Sequence, residues 1–300
     1  MATFSVVVTA KEDKEVIDFF ISHYTRLGAQ AISVYYDGAA NFDIAPAGDH
    51  VSFVAMDAAF WAEQAEPRPQ EFTDLQRRVY ARAMAECQSD WLLVVDCDEM
   101  LYIDQPVGTL LDKLPLDIHA VRIRNVEAVW DSGSDAGADF GTTRFRHFAR
   151  THTQRSLQKL VYRGRWKYLK HGLAGHSAGK HFLRKDADVD VVGIHTSRSR
   201  SRGEAPWLDK FTSDEALICH FDAISARRWK TKMINRSGRR GGLTTVPEQR
   251  VRLIRHAAQL AAERPDELDS LFEKIYTLQA SERRLLSAAG LLIERDISRA

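Results

Sequence analysis

The chain has 300 residues, 44% of them apolar and 28% charged, with 42 Lys and Arg against 41 Asp and Glu for a formal charge of +1. That size and balance describe a globular protein with one large domain or one domain plus an appendage, and exclude wholesale disorder. A near-neutral total names no partner through long-range electrostatics, so charge is informative only where it is local.

Residues 3–9, "TFSVVVT", form an expected buried strand because β-branched residues dominate. A helical period follows, with Val16, Phe20, Tyr24 and Leu27 on one side and Gly28 as its stop. "AISVYY" (31–36) is a second strand closing on Asp37-Gly38, and "HVSFVA" (50–55) a third. Phe72, Leu75, Val79, Ala83 and Cys87 have helical spacing, and "WLLVVDCDEM" (91–100) is a fourth strand running into acidic side chains. Strands separated by helices imply a parallel sheet covered on both faces, in which ligands gather at the carboxyl ends of the strands. Thr9, Ala10, Lys11, Asp37 and residues 96–99 all fall on that edge.

Farther along, "HAVRIRNVEAVW" (119–130) alternates like a strand, and a Gly- and Asp-rich loop (131–141) follows. "VDVVGIH" (189–195) and "ALICH" (216–220) read as short strands, each ending in histidine, with an aperiodic loop at 196–206 between them. From Val246 onward the pattern is wholly helical. Thr245 and Glu248 have capping-box spacing, and Val251, Ile254, Ala258 and Ala261 share a face that Leu268, Leu271, Phe272 and Ile275 continue. The expected organisation is α/β, with a catalytic domain over 1–240 and a helical extension over 241–300.

Cys87, Cys97 and Cys219 are an odd number and far apart, which argues against a disulfide framework and a zinc site and for a reducing, cytoplasmic setting. No basic leader precedes the first apolar run and no stretch approaches the roughly 20 apolar residues of a membrane helix, so a cytoplasmic protein is expected, with peripheral membrane contact left open.

Asp96 and Asp98, spaced by two on an extended strand, would lie on the same side and reach one cation. Mg²⁺ and Mn²⁺ take such oxygen ligands together with substrate phosphates. The competing reading is a pair of solvated or helix-capping acids at a strand end.

"WLLVVDCDEML" resembles the W-x-x-x-x-D-x-D-E-F-L signature of glycosyltransferase family 2-like and family 92-like enzymes of the GT-A fold, with Met100 in place of the usual Phe. Upstream, "TAKEDKEVIDFFISHYTRLGAQAISVYYDG" is similar to the opening of those enzymes. Downstream, "LICHF" and "SARRWKTK" (225–232) resemble their H-Y motif and the basic segment after it, so that the likeness runs in order over roughly residues 3–240.

The resemblance implies a GT-A-like mostly parallel sheet with flanking helices, a nucleotide-diphosphate sugar as donor, Mn²⁺ or Mg²⁺ as cofactor and a glycan or other hydroxyl acceptor. It implies that Asp98 and Asp96 hold the metal, with Asp96 nearer the ribose, and that His220 completes the metal shell or bonds the diphosphate. Thr9, Ala10, Lys11 and Glu12 would wrap the base, and Asp37 would bond base or ribose or serve simply as a turn residue. Gln76 matches a nucleotide-sugar contact, although Thr73 and Gln76 also have capping-box spacing. Lys180, within "HSAGKHFLR" (176–184), corresponds to a phosphate-binding lysine or a solvated basic loop. Glu99 would position a sugar hydroxyl or accept bonds from the next turn. An inverting displacement needs a general base, and the resemblance implies that this acid follows the metal motif by a few dozen residues, which leaves Glu127 and Asp131, with Asp135 as a third choice and Trp130 beside them to stack on a sugar or pack. His23 is expected to be packed, and His195 is open either way.

Two rivals stand beside this reading. A nucleotidyltransferase also places a metal-binding acid at a strand end but usually opens with a Gly-rich phosphate loop, which "TAKEDKE" lacks. Nucleic-acid binding is suggested by "SRSRSRG" and "RSGRRGG" (236–242), but no interleaved aromatics accompany them, so no nucleic-acid partner is expected.

Overall fold

The computed structural model describes residues 1–38, 48–132, 140, 142–199, 210–238 and 246–299. In chain order the strands and helices are β1 (Phe4–Ala10), α1 (Lys14–Arg26), β2 (Ala31–Tyr36), β3 (Val51–Ala55), α2 (Ala58–Ala62), α3 (Phe72–Glu86), β4 (Trp91–Val94), β5 (Glu99–Ile103), α4 (Val107–Asp112), β6 (Ala120–Asp131), β7 (Thr142–Arg146), α5 (His152–Tyr162), β8 (Lys180–Arg184), β9 (Lys210–His220), α6 (Ala226–Ser237), α7 (Glu248–Glu263), α8 (Glu267–Tyr276), β10 (Thr277–Leu278), α9 (Ala280–Ala288) and β11 (Leu292–Asp296). The chain is α/β and divides into two compact units, one of Met1–Arg124 with Ala178–Ile218, the other of Asn125–Ser177 with Cys219–Arg299. No helix among the described residues is long and apolar enough to cross a membrane.

The first unit is built on a mixed, mostly parallel sheet. β3, β2, β1 and β4 lie side by side in parallel, and β8 joins β4 antiparallel before pairing with the first residues of β6. All seven residues of β1 are buried, the signature of a strand covered on both faces. The spacing of Val16, Phe20 and Tyr24 buries one stripe of α1, and Gly28 at φ 82° turns the chain out of that helix in the left-handed region that favours glycine. Leu75, Val79, Tyr80 and Ala83 of α3 pack with Val7, Leu92 and Val94. The stretch 189–195 forms no strand; its contribution to pairing is an isolated bridge from Val191 to Arg198.

In the second unit the later part of β6 pairs antiparallel with β7, β7 with β11, and β10 adds beside Trp130 and Asp131. The boundary expected at 240 is not where the structure divides. Leu253, Ile254, Leu260, Leu271, Phe272 and Ile275 share one core with Val129, Val161, Tyr162 and Trp229. Residues 246–299 are therefore an integral layer of this unit, and they contribute two strands as well as helices. Thr245 lies outside the described residues, and α7 begins at Pro247 as N-cap with no side-chain capping bond.

Phe272 is 2% exposed and touches Trp130, Trp229 and Tyr276 through its ring. Phe272→Ala should therefore cost about 3–5 kcal/mol in urea unfolding, with the loss of protection from hydrogen exchange extending to Val129 and Tyr162. A detachable appendage would leave those two residues unaffected.

Candidate functional site

The acidic motif does not lie on a strand. β4 stops at Val94, and residues 97–98 form a turn before β5 starts at Glu99. The turn is closed by its own last acid: Glu99 accepts the Asp96 backbone N–H at 2.9 Å on Oε2, while its own N–H donates to the Asp96 carbonyl at 3.1 Å. The period-two argument for Asp96 and Asp98 thus fails, because the chain turns between them instead of running extended. Glu99 has a completely buried side chain, and the bond it accepts comes from Asp96 before it rather than from the turn that follows.

Opposite the turn stands Lys180, fully buried at the start of β8. Gly179 delivers it. Its φ is 71°, and a Cβ there would sit 2.2 Å from the Ile123 carbonyl oxygen, so any other residue would push β8 away from β6. Lys180 Nζ lies 2.7 Å from Asp96 Oδ2 and 3.2 Å from Glu99 Oε2. Burial works against its charge, but the carboxylates of Asp96 and then Glu99 outweigh burial and raise its pKa, so it stays an ammonium. It is a buried counter-ion rather than part of a solvated loop.

Gln76 forms no capping box, despite its spacing from Thr73. Glu71 is the N-cap of α3, with no side-chain capping bond, and Gln76, 5% exposed, donates its Nε2 to Asp96 Oδ1 at 3.1 Å and to the Tyr80 hydroxyl at 3.1 Å. Burial, followed by the nearby Asp96 charge, raises the Tyr80 phenol pKa and keeps it neutral. Asp96 thereby accepts from Gln76 on one oxygen and Lys180 on the other, and its side chain remains 30% exposed. Asp98, at 8% exposure, follows two residues later.

Of the remaining positions expected on the sheet edge, Thr9 and Ala10 are buried as the last residues of β1, and Lys11 is exposed just beyond them. Asp37 leaves β2 with its N–H on the Ala10 carbonyl and its carboxylate held by Arg68 at 2.8 Å. His23 is packed as expected, its Nε2 2.9 Å from the Leu101 carbonyl oxygen, and His195 Nδ1 lies 2.8 Å from the Gly179 carbonyl oxygen. Arg68 and Tyr80 were missed in the sequence; the i, i+4 step from Gln76 to Tyr80 was the available signal for the latter.

The second unit holds the other expected residues. Glu127 does not fit the role of general base. Its side chain is fully buried, it is salt-bridged to Arg146, and it accepts the backbone N–H of Ala174 at 2.9 Å and of Gly175 at 2.5 Å. Its oxygens are committed to holding the 174–175 backbone. Asp131 is 38% exposed and ion-paired with Arg144 at 2.8 Å and Arg283 at 2.9 Å. Asp135 lies outside the described residues. Trp130 packs near Phe272, with ring centroids 6.4 Å apart. His220 is 4% exposed and its ring lies 4.9 Å from that of His176. Close by in sequence, Asp222 is clamped by Arg250 at 2.7 and 2.8 Å and receives the Tyr276 hydroxyl. Burial opposes its charge, but Arg250, then Lys232 and His220, hold its pKa well below the usual carboxylate range.

The sequence matches no protein-family model, and no curated protein is significantly similar to it.

Because Lys180 is enclosed, removing its charge strands the buried Glu99 carboxylate and leaves Asp96 without its cation. Lys180→Met should destabilise the protein by about 3–5 kcal/mol in denaturant unfolding. Adding Asp96→Asn and Glu99→Gln should recover most of that loss, and a purely steric effect would not be rescued.

Proposed function

We propose that this chain is a metal-dependent glycosyltransferase with a GT-A-like donor-binding unit, moving a sugar from a nucleotide-diphosphate donor to a hydroxyl acceptor. The observation that carries the reading is the Asp96–Glu99 turn: three carboxylates within four residues, set at the carboxyl end of a central parallel strand, with a single lysine charge shared between two of them. Ligands of open α/β sheets collect at that edge.

The residue types suit a hard divalent cation. Asp98 lies two residues after Asp96, whose side chain stays partly open to solvent, and Mg²⁺ and Mn²⁺ take carboxylate oxygens together with phosphates. When bound, the ion would neutralise the diphosphate as the bond to the sugar breaks. The protein's own residues do the positioning. Glu99 and Lys180 hold the turn in one geometry before the donor arrives, Gln76 fixes the plane of the Asp96 carboxylate, and Asp37 with Arg68 presents a paired acid and base at the end of β2 for the nucleoside. Of the two acids expected to take the acceptor proton, Asp131 is 38% exposed and ion-paired with Arg144 and Arg283, and Glu127 is fully buried.

A panel of nucleotide sugars with Mn²⁺ tests the reading by following product. Release of nucleoside diphosphate supports it, and Asp98→Asn should lower that rate on the order of 10²-fold. Release of pyrophosphate would point to nucleotidyl transfer, and an unchanged rate in the variant would remove Asp98 from the site.

A further inference from the structure

The second unit carries a feature that donor chemistry does not use. No acidic residue stands between Asp139 and Asp186 in the sequence, although the chain as a whole is nearly neutral. Four exposed cations of this stretch, Arg155, Lys159, Arg163 and Lys167, recur at four-residue steps. Arg155 and Lys159 lie one turn apart on α5, and the Arg163 N–H donates to the Lys159 carbonyl, so Arg163 continues the same ridge. Arg163 holds this place at φ 46°, a left-handed conformation that favours glycine, and Gly164 is the next residue. Lys159, Arg163 and Lys167 then line a cleft of about 580 Å³ together with Gly164, Trp166, Gln249 and Arg252. Glu248, on the first turn of α7, pairs with Arg252 at 2.5 Å and offsets that cation.

Two apolar groups lie within this basic ridge. Leu160, beside Lys159, is 68% exposed, among the most exposed large apolar side chains of the protein. Trp166 is half-buried, packed against the core of its unit, and lines the cleft. Cations that attract anionic headgroups, interleaved with a leucine and a tryptophan that partition into the interface, match a lipid surface.

We propose that the face formed by Arg155, Lys159, Leu160, Arg163, Trp166 and Lys167 docks the protein on an anionic membrane surface. The charges supply attraction that salt screens, and Leu160 inserts at the headgroup boundary. The proposal is independent of the reaction catalysed.

Sedimentation of the full chain with lipid vesicles tests it. Equimolar phosphatidylcholine and phosphatidylglycerol should retain the protein, pure phosphatidylcholine should not, and added NaCl should release it. Lys159→Gln/Arg163→Gln should weaken binding about 25-fold, at about fivefold for each neutralised cation. Leu160→Ser should weaken it about tenfold at every salt concentration. All these side chains are exposed, and circular dichroism with thermal melting confirms that the variants fold. Equal retention by both vesicle types, no retention by either, or an unchanged affinity in the charge variant would overturn the proposal. So would retention on a single-stranded oligonucleotide without retention on vesicles, which would assign the ridge to nucleic acid.

Discussion

The end of β4 is organised around an ammonium group that water does not reach. An isolated charge in such a place costs several kcal/mol and would normally lose its proton. Lys180 keeps its proton because Asp96 and Glu99 stand within 3.2 Å of it. The dependence runs both ways, since the two carboxylates would repel each other and open the turn without the lysine. Glu99 adds the backbone bond to Asp96, Gln76 adds a second donor, and Gly179 lets β8 come close enough to deliver the lysine. Replacing Lys180 alone leaves the buried Glu99 carboxylate without its balance, and replacing Glu99 leaves the buried ammonium with Asp96 alone.

The second unit uses the same residue types for a different purpose. Glu127 and Arg146 are cross-strand partners in the β6–β7 register, fully buried, with the carboxylate also gripping the Ala174 and Gly175 N–H groups. Asp222, Arg250 and Tyr276 tie α7 and α8 to the chain after β9. Exposure rather than pairing separates these acids from Asp96: the Glu127 and Asp222 side chains are almost wholly buried, whereas the Asp96 side chain, also held by Gln76 and Lys180, stays 30% exposed.

The sequence showed the first unit more clearly than the second for a physical reason. β1, β2 and β4 are covered on both faces and read as continuous apolar runs, and α1 and α3 display full apolar stripes. β7 and β11 of the second unit, "TTRFR" and "LIERD", are five-residue antiparallel strands rich in charged and polar residues, with no apolar run or strict alternation to mark them. The apolar spacing of 246–299 was legible, but its partners at Val129, Val161 and Trp229 are remote in sequence, so an integral layer looked like an appendage. At the site, Asp96 was placed at the correct strand end. The turn that follows it, closed by a side chain three residues away, was not visible in an alternation rule. Glu127 looked like a candidate base because its neutralising arginine lies nineteen residues later across a hairpin.

The account reduces to the claim that the Asp96–Glu99 turn, held by Lys180, binds a divalent ion together with a nucleoside diphosphate. Anomalous diffraction from crystals grown with Mn²⁺ and uridine or guanosine diphosphate tests it directly. The predicted result is a manganese peak within coordination distance of an Asp98 oxygen, with diphosphate oxygens on the same ion and Lys180 still bridging Asp96 and Glu99. A nucleotide and metal bound away from this turn, or a turn that must unfold to admit them, would contradict it.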